Sequence, residues 1–186
     1  MYGIRLPIGT IRTALSVLLL LASFATAAQA QDNPFEGGWT LQPEMSNLNF
    51  QSVKKQTVVE VSSFAALEGT IAPNGTTQVQ VLLDSVDTKV DLRNVRMRFL
   101  FFETFKFPAA TITAKIDSAH LTDLAQKRRK QIPLRYDMNL HGVTKSLDAM
   151  VTVTLLGPDM VSVASGTPIS ISVADFNLTE GLEKLK

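Results

Sequence analysis

Alternation of apolar and polar residues is the feature of this sequence that most constrains its fold. Leu134, Tyr136, Met138 and Leu140 alternate with polar or charged residues, and the stretch 147–155 alternates in the same way. Residues two apart in a strand point to the same face, so these runs indicate strands with one buried and one solvated face. Shorter runs of the same period occur at 48–52, 79–83 and 169–173.

Turn residues separate the alternating runs. Pro73-Asn74-Gly75 lies between two runs, and Asn-Gly is a strong hairpin signal. Gly157-Pro158-Asp159 and Gly166-Thr167-Pro168 interrupt the C-terminal runs. About eight strands at short spacing, without repeated strand–helix alternation, predict an all-β antiparallel sandwich or barrel. The run at 169–173 is expected to be its last strand.

One segment breaks the period of two. Residues 92–105 lack Gly and Pro, and they place Met97, Leu100, Phe101 and Phe105 at helical spacing. Five of the ten phenylalanines fall within 99–107, with charged residues among them. Phenylalanines also fall off the helical stripe, so the sequence predicts a short helix that is apolar on more than one side.

The N-terminus has the pattern of an export signal. Arg5 and Arg12 precede a short apolar run at 14–22, and Ala28-Gln29-Ala30 matches a cleavage site. Cleavage after Ala30 would leave a periplasmic protein held together without disulfides, because the chain has no cysteine. The predicted organisation is a signal peptide at 1–30, a flexible leader at 31–38 and one domain at 39–186.

Charge and composition exclude several function classes. Without the two leader arginines, 16 basic side chains face 17 acidic ones, so nucleic acid binding is not predicted. The one basic cluster is Lys127, Arg128, Arg129 and Lys130, within the connector 125–131. This connector is interpreted as a solvated hairpin tip; the alternative is a patch for an anionic membrane surface or a phosphate-bearing ligand.

No catalytic or metal motif is present in the sequence. His120 and His141 are the only histidines, and neither lies in a metal-ligand arrangement. Asp84 and Asp87 are close in sequence but are expected on different faces of a strand. The sequence therefore predicts no enzyme activity, no metal and no cofactor. An enzyme acting on a small hydrophobic substrate would depend on Asp84, Asp87, Tyr136 and His141.

Several short motifs occur in a characteristic order. They are Trp39-Thr-Leu, Phe64-Ala-Ala-Leu-Glu-Gly69, the stretch 79–88 leading to Arg93 and Phe101-Phe102, Phe107-Pro108 with the residues to Thr113, Leu140-His-Gly-Val-Thr-Lys145, and Asp175-Phe176. In this order and spacing they resemble the YceI family of exported lipid-binding proteins. The resemblance covers essentially all of the chain from Trp39 to about Leu178. The paired phenylalanines before Phe-Pro and the His-Gly-Val-Thr-Lys turn are its most specific parts.

The resemblance implies an eight-stranded, lipocalin-like antiparallel β-barrel with a helical lid near residues 92–105. It also implies an apolar interior that holds a polyisoprenoid or another long-chain amphiphile. The family commonly has Arg-Asp-x-His-Leu at the start of the lid segment. This chain has Arg93-Asn-Val-Arg-Met97 instead, so the family's Asp and His are missing here.

Candidate site residues follow from the alternation, the lid and the resemblance. Arg93 and Arg96 are candidates for contact with the polar head of a ligand. The predicted inward-facing lining residues are Phe50, Phe64, Leu83, Met97, Phe101, Phe102, Tyr136, Met138 and Ile171. Tyr136 is the most informative of them, because a buried phenol needs a hydrogen-bond partner.

Three hypotheses for function result. The first is a non-catalytic periplasmic carrier for a polyisoprenoid or a related long-chain lipid. The second is a filled barrel that acts as an interaction module and docks on a membrane or partner through residues 127–130. The third is the enzyme described above. Pairing of two chains through an exposed edge strand is left open by the sequence.

Overall fold

Antiparallel strands dominate the chain, as the alternation predicts. The computed structural model describes residues 33–54 and 58–185, so the predicted signal peptide lies outside the described residues. Ten strands occur in the described ranges, and eight of them have five or more residues. They are β1 Trp39–Thr40, β2 Leu48–Lys54, β3 Val58–Phe64, β4 Leu67–Ile71, β5 Thr76–Leu82, β6 Val86–Asp87, β7 Ala109–Lys115, β8 Arg129–Leu140, β9 Val143–Gly157 and β10 Met160–Ser165.

The strands form two sheets. Seven strands pair in the order β1-β4-β5-β7-β8-β9-β10, and three pair in the order β2-β3-β6. Every pair is antiparallel. The larger sheet is curled into a half-barrel, so the predicted lipocalin-like class is confirmed, with ten strands rather than eight.

Two hairpin turns require glycine. Gly75, in the predicted Pro-Asn-Gly turn, has φ +81°, and a Cβ there would lie 2.4 Å from the carbonyl oxygen of Ile116. The β8–β9 turn consists of His141 at φ 52° and Gly142 at φ 77°. Two successive positive φ values match the twist of a two-residue hairpin. Both turns therefore fix the register of the strands that they join.

Short helical elements connect the strands. The helices are α1 Asp91–Arg96, α2 Leu124–Lys127 and α3 Thr179–Lys184, and short 3-10 turns occur at Pro43–Met45, Leu83–Ser85, Ser118–Leu121 and Val173–Phe176. A wider helical turn, Met97–Phe101, continues α1, and the N–H of Phe102 donates to the carbonyl of Met97 at 2.8 Å. The predicted helix at 92–105 is thus shorter than expected. It ends because Glu103 adopts φ 48°, which places Phe105 beyond the helix.

Helix α3 packs directly on the backbone of the wider turn. A Cβ on Gly181 would lie 2.8 Å from the carbonyl oxygen of Leu100 and 2.9 Å from the Cα of Phe101. Real Cβ atoms essentially never approach backbone this closely, so only glycine permits the contact. Arg96 adds a hydrogen bond from its guanidinium to the carbonyl oxygen of Lys184, at 2.5 Å.

Replacing Gly181 with alanine is therefore expected to lower the free energy of unfolding by about 1–3 kcal/mol, because α3 has to move off the turn. Urea unfolding followed by circular dichroism measures the change. Gly157→Ala is the matched control, because no atom lies within 4 Å of its Cβ position. Equal stability of the two variants would contradict the packing described for α3.

Two sequence-based expectations are wrong. The predicted flexible leader is packed over its described part, 33–38, because Phe35 is buried in the core and the indole N–H of Trp39 donates to the carbonyl of Pro34 at 2.9 Å. The predicted last strand at 169–173 is not formed, and Val173 begins a 3-10 turn instead. The N–H of Gly166 still donates to the carbonyl of Met150, in line with the β9–β10 pairing, and no residue from 167 to 172 belongs to a strand.

Candidate functional site

The inner face of the half-barrel is the candidate site. Directly paired residues on neighbouring antiparallel strands share a face, so the register defines rows of side chains across the sheet. Three adjacent rows cross β4, β5, β7, β8 and β9. The packed row is Leu67, Val81, Ala110, Leu140 and Val143; the lower central row is Gly69, Val79, Ile112, Met138 and Lys145; the upper central row is Ile71, Thr77, Ala114, Tyr136 and Leu147.

Burial differs sharply between these rows. Four of the five residues of the packed row are buried. In the two central rows only Tyr136 is buried, Lys145 is exposed and the other eight residues are half-buried. A filled barrel has its most buried residues at the centre, because the interior is close-packed there. The centre of this inner face is therefore accessible, while the end near the packed row is closed.

Two separate apolar clusters flank the accessible centre. The first cluster consists of Phe64, Leu67, Val81, Leu83, Val86, Met97, Phe102, Ala110, Leu140, Phe176 and Leu178. The second cluster consists of Phe35, Leu121, Leu124, Ile132, Val151 and Val153. Tyr136 belongs to neither cluster, and the small residues Gly69 and Ala114 lie in the central rows between them. The clusters therefore lie at the two ends of the central rows, with a less buried space between them.

Tyr136 brings one polar group to this space. Its side chain is buried, and burial raises the pKa of the phenol, with the Asp148 carboxylate adding to the shift. Its hydroxyl makes no hydrogen bond to any residue in the described ranges. The hydroxyl oxygen is not one of the buried polar atoms that lack a partner, so it is accessible to water or to a ligand oxygen.

The structure separates the phenylalanines of residues 99–107 into inner and outer sets. Phe102 is buried and Phe101 is half-buried, and their ring centroids lie 4.7 Å apart. The ring centroid of Phe102 also lies 5.7 Å from that of Phe64, and the centroid of Phe64 lies 5.3 Å from that of Phe50. Four predicted lining residues thus form one aromatic row beside the packed end. Phe99 and Phe105 are exposed on the other side.

The two most specific motifs meet in space. The Nε2 atom of His141 lies 3.1 Å from a carboxylate oxygen of Glu103, and its ring lies 4.3 Å from the ring of Phe107. Lys106 also pairs with Glu103, at 3.0 Å, and these hydrogen bonds, that of Lys106 first, hold the pKa of Glu103 below its usual value. The motifs therefore anchor the lid segment to the β8–β9 turn.

Both arginines predicted for a ligand head group have partners within the protein. Arg93 makes a two-pronged pair with Glu60, with both N–O distances at 3.1 Å, and this pair ties α1 to β3. Arg96 donates to the carbonyl oxygen of Lys184. Lys145 is different. It lies on the inner face opposite Met138, and among the described residues it has no hydrogen bond or ion pair.

The other predicted lining residues are divided between the core and the surface. Leu83 and Met97 are buried in the first cluster, and Met138 packs against it. Ile171 is exposed and lies outside any strand, because the strand predicted for it does not form. Sequence reasoning missed Gly69, Ala114 and Lys145 as site residues; Ala114 lies outside the alternating runs, and its short side chain gives no strong apolar signal.

The basic residues 127–130 do not form a hairpin tip. Lys127 ends α2 and Arg129 begins β8, while Arg128 between them has φ 62°. Lys127 and Lys130 both lie 2.6 Å from the carboxylate of Asp123. Two of the four basic side chains therefore share one carboxylate, which offsets one of their two positive charges.

These two lysines lower the pKa of Asp123 from 3.8 to about 2, with the hydrogen bond of Lys127 as the larger cause. A lowered folded-state pKa means that the pair stabilises the fold above pH 3.8 and that this contribution is lost as the pH falls through about 2. Carboxyl NMR titration is expected to give that midpoint. A midpoint for Asp123 at or above its ordinary value of 3.8 would contradict the double pairing.

The candidates for catalysis are not brought into one group. Asp87 pairs with Lys89, His141 pairs with Glu103, and Asp84 is exposed. None of them shares a hydrogen bond with Tyr136. Within residues 33–54 and 58–185, no three His, Asp or Glu side chains could jointly hold a metal ion.

Two of the depressions on the described part of the chain have volumes of about 240 and 220 Å³. The first is lined by Phe35 and turn residues, and the second lies where β8 pairs with β9 near Leu134 and Ala149. Both are smaller than the roughly 300–1,000 Å³ typical of small-molecule sites. A long ligand would therefore occupy the open inner face, and neither depression alone.

Comparison with known proteins identifies related folds. A family model described as YceI-like domain matches residues 39–185. A polyisoprenoid binding domain from Saccharophagus degradans, implicated in plant cell wall breakdown, is 36% identical with a TM-score of 0.75, covering 78% of this chain and 84% of that chain. No curated protein matches the sequence.

Two more distant structures share the fold alone. BcnA of Burkholderia cenocepacia is 16% identical with a TM-score of 0.58, covering 74% of this chain and 84% of that chain. A YceI protein of Campylobacter jejuni is 18% identical with a TM-score of 0.51, covering 75% of this chain and 84% of that chain.

Proposed function

The chain belongs to the YceI-like domain family, and on that premise we propose that it binds a polyisoprenoid or another long-chain amphiphile on the open inner face of its half-barrel. The observation that carries the proposal is the accessible centre of an apolar face whose end is closed by packed side chains. The relative from Saccharophagus degradans, described as a polyisoprenoid binding domain, supports the same ligand class.

Apolar burial alone can supply the affinity. Each methylene removed from water contributes about 0.8 kcal/mol, so about ten methylenes contribute about 8 kcal/mol. That corresponds to a dissociation constant of about 1 µM before the cost of association is subtracted. A longer isoprenoid chain offsets this cost, and no covalent step is needed. We propose a non-catalytic role for this reason.

The predicted export signal gives the proposal its cellular setting. A periplasmic protein that shields a lipid chain on its inner face would carry or store that lipid in an aqueous compartment. The predicted cut after Ala30 is tested by sequencing the N-terminus of the protein recovered from the periplasm. A first residue of Gln31 is the expected result.

The experiment that tests the proposal is native mass spectrometry of the protein isolated from its own cells without detergent, followed by organic extraction. A stoichiometric adduct of one lipid class is expected. A protein that is consistently free of lipid, and that also fails to take up a polyprenol of defined length from solution, would overturn the proposal.

Lys145 is our candidate for contact with the ligand head group, because it is a cation on the inner face without a partner among the described residues. Lys145→Met is expected to weaken binding of an anionic amphiphile, such as a polyprenyl phosphate, by about tenfold or more. Binding of the uncharged polyprenol of the same length should change little, because the apolar contacts remain. Titration of both ligands measures the difference. Equal losses for both would contradict a head-group role.

A further inference from the structure

The lid segment has a second apolar face that points away from the first cluster. Leu92, Val95 and Phe99 are spaced three and four residues apart, so they lie on one side of α1 and the turn that continues it. Leu92 is 70% exposed, Phe99 57% and Phe105 65%. We call these four residues, Leu92, Val95, Phe99 and Phe105, the outer lid face. Isolated exposed apolar residues are ordinary, but four in fourteen residues form a patch.

The same segment is already buried on its other side. Met97 and Phe102 lie in the first cluster, and the backbone at Leu100 is covered by Gly181 of α3. The inner side of the segment therefore packs in the first cluster, and the outer residues are not part of that cluster. Leu92 and Phe99 stay largely exposed on the other side, so no element of the described part of the chain covers them.

Two arginines of the lid segment, Arg96 and Arg98, lack a carboxylate partner among the described residues. Residues 89–107 carry five basic and two acidic side chains. The other three basic side chains of residues 89–107 are paired with carboxylates, Lys89 with Asp87, Arg93 with Glu60 and Lys106 with Glu103. The cation of Arg96 meets only a neutral carbonyl, and no carboxylate in the described ranges pairs with Arg98. Arg98 is half-buried, and its Nε atom is buried. Exposed phenylalanines beside these two arginines match an anionic lipid surface, which takes apolar groups between its chains and cations at its head groups.

From these exposures and charges we propose that the outer lid face docks the protein on an anionic phospholipid bilayer. The contact would be peripheral, because α1 has six residues and no helix in the described part of the chain is long and apolar enough to span a bilayer. This docking is a property of the outer side and does not rest on the proposed lipid cargo. It uses residues other than the basic cluster 127–130.

The test is co-sedimentation of the protein beginning at Gln31, which forms one compact unit to Lys186, with vesicles of phosphatidylethanolamine and phosphatidylglycerol. We expect the double variant Phe99→Asp/Phe105→Asp to lower the partition coefficient at least about tenfold. Met45→Asp is the matched control, because Met45 is 67% exposed and lies outside the lid segment. Circular dichroism verifies that all variants fold, and the control should bind like the unmodified protein.

A depth measurement distinguishes insertion from loose attraction. Phe99→Trp adds a fluorophore to a chain with a single native tryptophan, and brominated lipids should quench the added emission. The unmodified protein supplies the background from Trp39. Absence of quenching in a protein that co-sediments would show that another surface makes the contact.

Several outcomes would overturn the docking proposal. One is equal partition onto phosphatidylcholine vesicles and vesicles containing phosphatidylglycerol. Another is full retention of binding by the double variant, or loss of binding on Lys127→Ala/Arg129→Ala. A third is a change from dimer to monomer in the double variant without any vesicle effect, which would assign the face to self-association. Native mass spectrometry measures the lipid bound on the inner face independently of vesicles. Failure of docking and failure of lipid binding are therefore distinguishable.

Discussion

Ala114→Phe is expected to abolish polyprenol binding while the protein stays folded. Ala114 lies in the upper central row beside Tyr136, and its half-buried methyl group faces the accessible interior. A phenyl group there would occupy the volume of about four methylenes of the ligand chain. At about 0.8 kcal/mol each, their displacement lowers the affinity by on the order of 100-fold. Fluorescence or calorimetric titration with a polyprenol of defined length measures the loss.

Thr113→Phe is the matched control, because Thr113 is the preceding residue of β7 and points to the opposite, solvated face. It should bind the polyprenol like the unmodified protein. If Ala114→Phe instead unfolds the protein, the interior is filled, and the accessible centre is not a ligand space. A filled interior would be expected to lose about 1–3 kcal/mol on this substitution.

Phe176→Ala is expected to have the largest effect on stability, lowering the free energy of unfolding by about 3–5 kcal/mol. Phe176 is 1% exposed and lies in the first cluster, next in sequence to a left-handed residue, Asn177 at φ 56°. Removal of the ring leaves a cavity at the closed end of the half-barrel, where the surrounding strands cannot easily collapse. Chemical denaturation gives the value directly.

Phe105→Ala serves as its comparison, because the same ring is removed from a 65% exposed position. That change should alter the stability by less than about 0.5 kcal/mol. A loss of similar size in both variants would mean that Phe176 is not a central packing residue. A small loss at Phe176 with normal folding would mean that the closed end is looser than its burial indicates.

The alternation in the sequence is a sufficient guide to the strands because the period of two is a local property. It predicts β8 and β9, and with them the side of the sheet on which Tyr136 and Met138 lie. It fails at Ile169 and Ile171, where the same pattern forms no strand, because a strand also needs a neighbouring strand to pair with and none pairs with this run. Edge pairing is a long-range property that local periodicity does not contain.

The phenylalanine-rich segment shows a second limit. Helical spacing predicts α1, but it does not reveal that the wider turn at Met97–Phe101 directs Phe101 and Phe102 inward and leaves Phe99 outside. The spacing also does not reveal that Arg93 forms a salt bridge with Glu60, which is 33 residues away along the chain. Partners of charged side chains are set by the packing of distant elements, and the sequence alone gives no distance between them.

The most direct measurement of the central claim is the location of the bound chain by intermolecular nuclear Overhauser effects. The protein would carry labelled methyl groups, and the ligand would be an unlabelled polyprenol of defined length. We predict contacts from the ligand to the methyl groups of Ala114, Ile112 and Leu147 on the inner face, and none to Met150 on the outer face. Contacts confined to the methyl groups of Leu92, Val95 or other exposed residues, with none to the central rows, would contradict binding in the half-barrel.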